Sequence, residues 1–584
     1  MRNDNCLLIG IDLGTTYSSI SFYNEKTNQP EIVNVNLSQQ IPSYICFQQT
    51  SEDKQRVRFG KFAKESLLSS KLYDVKRFLG KKHSEIVDSE ERKSWSFGMS
   101  NDEDDEILIS IGNENDKNVD KCYPEEIIAL FFQFLLSELR KTIGKEELKI
   151  GMCTITNPVE FNETQKQALN RAAVIAGIQN VNFIHEPIAS LLAYQWKSNE
   201  KLKYKEKIII IDIGGGTTDI CLAELEDKVH IDQVSSNDMK YEILHTTGDL
   251  SLGGNDFDMI IIELLKEKCI HEKEIDLNDY LEITPRDPLN ARKKKQKRLT
   301  KLKIKAEEIK MDLTTKKDVS INLMDILDIE MEDNEIFITR KQFEQRCHHK
   351  GLYRKLIQQI EKCLNETGIQ RQDIKSVLLS GGSCLIPSIV DTVTKLFGKE
   401  KILNNQLKFD AKTSVSEGAA IYSYEKFLNP KTKLFQQTMP YSIGIELTGH
   451  RFYCLVKKGQ KYPIITEYPF YLSSDNQKTL RVPFYVGECE LTNDPSMKKI
   501  TEQKIDIPPN TKINDYEMKL LCEVKENGLI QVRVITIKDN VVLRDLNTAF
   551  LSVDTALKIN KNNESKMDEN VDKMVLHIQN FKID

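Results

Sequence analysis

The sequence predicts an α/β domain followed by an all-β module, and three observations carry that prediction. Up to about residue 427, apolar strand-like runs alternate with helix-like segments, which is the order typical of an α/β protein. Two of those runs, 6–16 and 208–219, are nearly the same and lie about 200 residues apart, which indicates an internal duplication. From 441 to about 553 the chain changes to short segments of alternating polarity, such as 451–456, which are typical of a β-sandwich.

The two matched runs predict a phosphate site. Each is a short apolar strand that reaches an aspartate, Asp12 or Asp212, continues through glycine and threonine, and returns as a second strand. Glycine allows bare backbone N–H groups to approach an anion, and threonine adds hydroxyl donors. The aspartates can hold a divalent cation, directly or through water. One such turn alone would be only a turn, whereas two matched copies indicate a nucleotide held between them.

Composition limits the class of protein. A chain of 584 residues is too long for one core and predicts two to four domains. Its net charge of −6 argues against nucleic acid as a partner, and the basic run 292–298 continues with helical spacing, which favours a solvated helix face over a localisation signal. The twelve cysteines form no Cys-x-x-Cys pair, which predicts reduced thiols in the cytoplasm. Since the sequence shows no signal peptide or membrane span, we expect a soluble monomer with no membrane partner.

Local signals predict several elements along the chain. Asn162, with Gln165 three positions later, predicts the start of a helix that stops at Gly177. Asn527-Gly528 predicts a hairpin turn within the β module. The run Cys347-His348-His349 invites a zinc interpretation, but neighbouring residues on a helix point in different directions, so we expect no metal there.

The end of the chain offers one further helix and completes the predicted organisation. Ser565 is predicted to cap this helix, with Asp568 behind it. Its apolar face would consist of Met567, Val571, Met574, Ile578 and Phe581. The predicted boundaries are 1–428 for the α/β domain, 429–440 for a linker, 441–553 for the β module and 554–584 for a tail.

Further motifs give the chain a family resemblance. They are IDLGTTYS at 11–18, DVKRFLG at 74–80, YPEE at 123–126, HEP at 185–187, the run 212–219, LGGNDFD at 252–258, LSGGS at 379–383, YSIGIE at 441–446 and SDNQ at 474–477. Across about residues 5 to 540 the chain resembles the 70 kDa heat-shock (DnaK-like) chaperones. The resemblance implies an actin-like, ribonuclease H-like duplicated ATPase domain, followed by a β-sandwich domain that binds peptide.

The resemblance also implies roles for individual residues. Phosphoryl transfer to water needs positioned phosphates, a metal and neutralisation of the charge that develops on the departing group. In the implied site, Asp12 and Asp212 hold Mg²⁺ through its waters, Lys76 with Glu186 orients the attacking water, and Pro158 relays the nucleotide state. The implied catalytic residues are Asp12, Thr15, Lys76, Glu186, Asp212 and Thr217. The implied nucleotide-binding residues are Gly14, Thr15, Thr16, Tyr17, Lys76, Gly214, Gly215, Gly216, Thr217, Glu307, Lys310, Met311, Thr314, Gly381, Gly382, Ser383 and Leu385.

Several positions depart from the family pattern. Met311 and Leu385 stand where the family sandwiches adenine between two arginines, so apolar contact replaces guanidinium stacking. At about 0.5–2 kcal/mol for each lost cation–π contact, ATP should bind more weakly. Lys412 occupies a position that is acidic in the family. Asn182 replaces the arginine that receives J-domain co-chaperones, and the linker 432–438 lacks its usual acidic, leucine-rich pattern, so we expect altered coupling to co-chaperones.

The predicted peptide cleft lies in the β module. The resemblance maps it onto Ile445, Phe470, Leu480 and Val482, so unfolded or extended apolar polypeptide is the expected partner. Leu480 should narrow the pocket, and Pro483 removes a ladder donor. The alternative is that these four residues are simply part of a β core. No full helical lid is expected after the module.

Two functions from different classes follow. The first hypothesis is an ATP-dependent chaperone that uses ATP and Mg²⁺, and it is favoured by the presence of Lys76, Glu186 and both turn aspartates. The second is an accessory, regulatory or assembly protein of the same family that binds ATP without cycling. Asn182, the altered linker and the expected lack of a lid favour the second hypothesis.

Overall fold

A mixed α/β chain with several separate sheets is seen in the computed structural model. Two large sheets are formed by residues before 437, and two antiparallel four-stranded sheets follow. The described residues are 6–49, 55–66, 71–89, 92, 95, 97–111, 120–144, 149–198, 205–225, 241–284, 286–328, 333–403, 409–428, 430, 435–436, 439, 441–472, 474–507, 510, 512–513, 517–524, 530–538, 541–550, 574–575, 577–578 and 581–583.

Elements of the first lobe occupy residues 6–197. In chain order they are β1 (Cys6–Asp12), β2 (Tyr17–Asn24), β3 (Gln29–Ile32), β4 (Ile41–Pro42), β5 (Ile45–Gln49), β6 (Gln55–Phe59), α1 (Gly60–Glu65), β7 (Lys71–Leu72), β8 (Met99–Asn101), β9 (Ile107–Ile111), β10 (Asp120–Cys122), α2 (Pro124–Ile143), β11 (Lys149–Asn157), α3 (Glu163–Ile175), β12 (Val181–His185) and α4 (Glu186–Lys197). Short 3-10 helices cover Val75–Phe78 and His83–Glu85. The main sheet has the order β12-β11-β1-β2-β3, with β4 beside β2.

Helix ends in this lobe follow from sequence. Asn162 Oδ1 accepts a hydrogen bond from the Gln165 N–H, while Gln165 Oε1 accepts one from the Asn162 N–H. This reciprocal pair satisfies two backbone donors at the start of α3, and Gly177 follows the helix at φ +87°. The predicted start and stop of this helix are therefore confirmed.

Elements of the second lobe repeat the design of the first. In chain order they are β13 (Lys207–Ile213), β14 (Thr218–Leu225), β15 (Tyr241–Asp249), α5 (Gly254–Lys273), α6 (Leu277–Leu281), α7 (Leu289–Thr315), β16 (Asp318–Asn322), α8 (Met324–Leu327), β17 (Glu335–Thr339), α9 (Arg340–His349), α10 (Leu352–Thr367), β18 (Ile374–Ser380), α11 (Pro387–Phe397) and β19 (Phe435–Gln436). Between α11 and β19 the chain forms α12 (Ser414–Leu428), which packs against β1, β2, β11 and α4 of the first lobe. Further 3-10 helices cover Arg371–Asp373, Gly382–Leu385 and Lys399–Lys401. The main sheet has the order β18-β13-β14-β15-β19.

Both main sheets contain the same central motif. In each, an antiparallel hairpin has its first strand flanked by a later, parallel strand: β11 beside β1, and β18 beside β13. Asp12 pairs with Ser19 in the first hairpin, and Asp212 pairs with Asp219 in the second. The two aspartates thus occupy equivalent positions, as the matched sequence runs predict.

The β module consists of two sheets that share one apolar core. In chain order its strands are β20 (Ile443–Leu447), β21 (Arg451–Val456), β22 (Ile464–Phe470), β23 (Thr479–Val486), β24 (Lys498–Asp506), β25 (Glu517–Val524), β26 (Ile530–Lys538) and β27 (Val541–Phe550). Their orders are β21-β20-β23-β24 and β22-β25-β26-β27. Phe484 of the first sheet and Leu520 of the second are fully buried in this common core. The predicted turn at Asn527-Gly528 lies outside the described residues.

The end of the chain differs from the single helix that the sequence predicts. Met574 and Ile578 are in short helical stretches, but Phe581 begins a strand, β28 (Phe581–Ile583). β28 pairs in parallel with β6 of the first lobe, and this pairing requires extended backbone that a continuing helix cannot provide. The helix prediction is therefore wrong at Phe581. Ser565, Met567, Asp568 and Val571 lie outside the described residues.

Candidate nucleotide-binding site

The turns of the two matched hairpins face each other across a cleft of about 210 Å³. A Cβ atom added to Gly215 would lie 1.9 Å from Thr16 Oγ1, so the turns approach too closely for any side chain at this glycine. Asn255, in the first turn of α5, contacts both: its N–H donates to Gly215 O at 2.8 Å, and its Oδ1 accepts from Thr16 Oγ1 at 3.5 Å. The two copies of the motif therefore meet at one cleft between the lobes.

Two carboxylates stand where these hairpins turn. Burial, and then the negative charge of Glu186, raises the pKa of Asp12 to about 7 and that of Asp212 to about 8. Thr156 Oγ1 donates a hydrogen bond to Asp12 Oδ1 at 3.2 Å. Among the described residues, Asp212 Oδ2 is buried without any hydrogen-bond partner. A buried oxygen that lacks a donor fits a cation, and Mg²⁺ prefers such carboxylate oxygens.

A buried ion pair lies beside these carboxylates. Lys76 Nζ donates to Glu186 Oε1 at 2.6 Å, and both residues are less than 10% exposed. Lys76 belongs to the 3-10 helix Val75–Phe78, and Glu186 is the first residue of α4. With Asp12 and Asp212 ionised, these three carboxylates and one ammonium sum to −2 (three negative, one positive). That excess matches the charge of a divalent cation, since unpaired buried charge is costly.

A third turn closes against the second hairpin. Gly381 has φ +81°, and an added Cβ would lie 2.3 Å from Ile213 O and 2.7 Å from Asp212 Oδ1. Only glycine fits this left-handed backbone at this distance. Two residues later, Ser383 Oγ donates to Gly214 O at 2.8 Å, so the predicted phosphate turns support each other.

Helix α7 forms the other end of the cleft. Glu307 is buried and forms an ion pair with Lys64 of α1, so it connects the two lobes. Lys310 Nζ lies 2.8 Å from Asp258 Oδ1. Met311 is 48% exposed and Leu385 is 44% exposed, and both line the cleft. Two half-exposed apolar side chains at one end of a polar cleft are suited to the faces of a planar ring.

All but one of the predicted catalytic and nucleotide-binding residues line this cleft. Gly216 is the exception; its carbonyl accepts a hydrogen bond from Arg77 Nη2 at 3.3 Å. The predicted residues that line it are Asp12, Gly14, Thr15, Thr16, Tyr17, Lys76, Glu186, Asp212, Gly214, Gly215, Thr217, Glu307, Lys310, Met311, Thr314, Gly381, Gly382, Ser383 and Leu385. Lys412, the departure beside the nucleoside position, lines it too.

Several contributors escape sequence reasoning. Lys64 contacts Glu307 and also donates to Tyr17 OH at 3.1 Å, but an isolated lysine in a six-residue helix gives no signal. Gln40 lines the cleft from a loop that carries no motif. Asp219 is inside the second matched run, but the equivalent position of the first hairpin, Ser19, lies beyond the first run and is not acidic, so the comparison of the two runs does not reveal Asp219.

Asp219 connects the second hairpin to the predicted relay proline. Its Oδ1 accepts a hydrogen bond at 2.7 Å from the N–H of Val159, the residue after Pro158. Burial raises the pKa of this carboxyl well above its usual range. The predicted co-chaperone position, Asn182, lies on β12, where its Nδ2 is 3.0 Å from Met152 Sδ.

The linker makes contact despite its unusual sequence. Phe435–Gln436 forms β19, which pairs in parallel with Tyr241 and Glu242 at the edge of the second sheet. Two ion pairs connect the β module to the same lobe: Lys458 with Glu366 at 2.9 Å, and Lys461 with Glu242. These contacts join the linker and the β module to the second lobe.

Two of the four predicted peptide-cleft residues lie in the hydrophobic core of the β module. Ile445 is 4% exposed and Val482 is 7% exposed, and both belong to the shared core of the β module. Leu480 is half-buried against that core. Phe470 ends β22, and its side chain lies outside the described residues. Ile445 and Val482 thus take the positions expected under the β-core alternative.

The cysteines are unpaired, and one of them belongs to a cluster of potential metal ligands. All twelve are free thiols, and nine of them are buried. The one cluster of three potential metal ligands among the described residues is Cys122, Glu126 and His577, and Cys347 is not part of it. Of the helices that the structure describes, none is both long and apolar enough to cross a membrane.

Two lobes that share a duplicated aspartate–glycine–threonine hairpin define a class of proteins that hold a nucleotide in the cleft between them. Comparison of the sequence with family models gives one assignment. The model described as "Hsp70 protein" matches residues 8–582, nearly the whole chain. The chain therefore belongs to the Hsp70 family of 70 kDa chaperones, whose members are ATP-binding proteins and ATPases.

Curated relatives agree with this assignment. The chain is 28% identical to "Heat shock cognate 70 kDa protein 3" of Dictyostelium discoideum over 534 residues, which is 90% of this chain and 77% of that protein. It is also 28% identical to "Chaperone protein dnaK" of Phaeodactylum tricornutum and to the same-named protein of Trieres chinensis. Each of these matches covers 532 residues, 90% of this chain and 78% of the relative.

Proposed function

We propose that this protein binds Mg·ATP in the cleft between its lobes, hydrolyses it slowly, and binds extended polypeptide through its β module. The observation that carries the proposal is the buried Lys76–Glu186 ion pair beside the two turn aspartates. A lysine and three carboxylates buried at one end of a cleft are costly for stability, so their presence is best explained by chemistry.

The proposed mechanism assigns each group a role. Backbone N–H groups and hydroxyls of the two turns, including Thr15 and Thr217, bind the phosphate oxygens. Lys76 donates to the charge that develops as the γ-phosphoryl group passes to water, and Glu186 fixes the ammonium by accepting its hydrogen bond. Because these donors are already in place, little reorganisation is needed at the moment of reaction.

Asp12 and Asp212 are the proposed holders of Mg²⁺. When bound, Mg²⁺ neutralises phosphate charge and favours departure of the γ-phosphoryl group. The raised pKa of each aspartate shows how unfavourable the free carboxylates are in this environment. Thr156 keeps Asp12 oriented by its hydrogen bond.

A single-turnover ATPase assay tests the proposal. Lys76→Ala should reduce the rate of hydrolysis at least about a hundredfold and change ATP affinity little, because the lysine acts mainly in the transition state. Lys141→Ala is the matched control, since Lys141 is 64% exposed on α2 and remote from the cleft. Unchanged turnover in the Lys76 variant would remove this lysine from its role. ATP binding without turnover in the unaltered protein would favour the accessory hypothesis.

The domain organisation and peptide binding belong to the same proposal. We retain 1–428 as the actin-like ATPase domain, 429–440 as the linker, 441–553 as the β-sandwich and 554–584 as the tail. Among the predicted cleft residues, the half-buried Leu480 is the best placed to contact a polypeptide. Leu480→Asp should weaken binding of an extended apolar peptide about tenfold or more, measured by fluorescence anisotropy. Ile465→Asp, at a 69% exposed position on β22 in the other sheet, is its control, and equal effects of the two changes would contradict the cleft.

A further inference from the structure

The described C-terminal residues lie on the first lobe, far along the chain from their partners. β28 extends the small sheet β28-β6-β5-β7, with Phe581 opposite Gln55 and Ile583 opposite Val57. Ile578 is only 2% exposed and belongs to the core of the first lobe. Without β28, β6 would be an edge strand with unpaired backbone groups, and such an edge attracts other strands.

Side chains reinforce this backbone pairing. The ring of Phe581 packs edge-on against Phe47 of β5, with centroids 5.5 Å apart. His577 Nδ1 lies 2.7 Å from Glu126 Oε1, while Glu126 Oε2 accepts the N–H of Tyr123 at the start of α2. The buried Glu126 therefore uses both oxygens, one for the helix cap and one for the tail. Met574 packs against the same core. The docked segment is thus held by strand pairing, apolar burial and a polar contact.

The strand that receives the tail connects directly to the cleft. β6 ends at Phe59, and α1 begins at the next residue, Gly60. Lys64 of α1 forms the ion pair with Glu307 of α7 that crosses between the lobes. Lys71 of the neighbouring β7 donates to Lys64 O at 2.8 Å, so the small sheet also fixes this lysine from the other side. Displacing β6 should therefore displace the cross-cleft contact.

A long stretch of chain joins the β module to the docked tail. β27 ends at Phe550 and the described tail begins at Met574, which leaves 23 residues, 551–573, between them. At about 3.3 Å per extended residue, they span up to roughly 75 Å. The covalent path thus runs from the first lobe through the second lobe and the β module, and returns to the first lobe.

We propose that the described tail residues, 574–575, 577–578 and 581–583, act as an intramolecular clasp, which we call the C-terminal clasp. The clasp covers the edge of β6 and holds the β6–α1 segment in the position where Lys64 contacts Glu307. It therefore stabilises this contact across the cleft and slows nucleotide release. Its occupant is the chain's own tail. The part concerning nucleotide release depends on the proposed function, whereas the docking itself does not.

Hydrogen–deuterium exchange and nucleotide release, measured on the full chain, test the clasp separately. Ile578→Asp buries a charge, so it should undock the clasp and raise amide exchange in 55–59 at least about tenfold. Release of a fluorescent ATP analogue should accelerate several-fold in the same variant. His577→Gln removes the titratable charge and is a milder second variant, expected to shift both readouts in the same direction. Val87→Asp, at an exposed site of the first lobe, is the matched control and should change neither.

The possible outcomes distinguish docking of the tail, its effect on nucleotide release, and the proposed function. Unchanged exchange in 55–59 for Ile578→Asp would show that the tail does not dock, and it would overturn the clasp. Increased exchange with unchanged nucleotide release would show that docking has no effect on the cleft, which also overturns the clasp but leaves the proposed function standing. If the unaltered protein does not bind the nucleotide analogue, the proposed function fails, and the exchange data alone decide whether the tail is docked.

Discussion

The end of the cleft where we propose that the nucleotide base binds gives the most quantitative prediction. In the proposed nucleotide site, Met311 and Leu385 are the residues that the family resemblance places where two arginines sandwich adenine. Both side chains are nearly half-exposed, at 48% and 44%. An arginine at either site would therefore be partly solvated, and the lower part of the cation–π range applies, about 0.5–1 kcal/mol per ring contact.

Restoring both arginines should then stabilise bound ATP by about 1–2 kcal/mol, which is roughly a five- to thirtyfold lower Kd. Each single variant, Met311→Arg or Leu385→Arg, should supply about half of that free energy. Lys412 lines the same cleft, and its like charge should reduce the gain at low salt. The single-turnover rate should stay the same, because neither side chain is at the Lys76 end of the cleft.

Isothermal titration calorimetry of ATP and GTP measures this effect. The gain should be larger for ATP than for GTP if adenine is the ring between the two side chains. Met259→Arg, on an exposed site of α5 outside the cleft, is the control for added charge. Tight, adenine-selective binding by the unaltered protein, with no gain in the double variant, would refute the reasoning.

Three further predictions follow from charges described above. Mg²⁺ affinity in the absence of nucleotide should fall by up to about a hundredfold per pH unit below pH 7, because protons compete for two carboxyls whose pKa is raised to about 7 and 8. Asp212→Asn removes one of the two, so in calorimetry it should reduce the slope to at most about tenfold per pH unit. Docking of the clasp should be strongest below about pH 6.5 and weaken as pH rises through the raised pKa of His577, which faces Glu126, Asp120 and Cys122. Amide exchange in 55–59, compared at pH 6 and pH 8, measures this change in docking. Equal exchange at the two pH values would contradict the ion pair between His577 and Glu126. Lys458→Ala with Lys461→Ala should weaken the contact between the β module and the second lobe by about 1 kcal/mol or less, because both ion pairs are partly exposed. The variant's linker should be cleaved faster than that of the unaltered protein in a proteolysis assay, and high salt should remove this difference.

The parts of the fold that sequence predicts well are those fixed by local chemistry. Asn162 and Gln165 satisfy each other's backbone donors within four residues, so their pattern alone places the start of α3. The turn aspartates can be recognised from sequence in the same way, because the pattern of an apolar strand, an aspartate, glycine and threonine occurs twice. Asp12 and Asp212 therefore stand out from the order of the residues alone.

Contacts between distant segments could not be predicted in the same way. Phe581 continues the helical spacing of the tail, but its pairing with β6 and its packing on Phe47 require extended backbone. Lys64 gains its importance only because α7 brings Glu307 beside it. Ile445 and Val482 match a cleft by resemblance, while the packing of two sheets places them in the core. In each case tertiary packing, which local spacing does not encode, decides where the side chain lies.

The free thiols are distributed so that alkylation of the native cysteines can report unfolding of each part of the protein. Cys153, Cys384 and Cys522 are buried in the first lobe, the second lobe and the β module, and burial raises the pKa of each thiol. Because only the thiolate reacts, each is shielded twice, by exclusion of reagent and by its protonation. Cys489 in the β module is half-buried and should label without any opening. Alkylation rates resolved by mass spectrometry would therefore measure the opening of each core independently, with no dye or engineered cysteine.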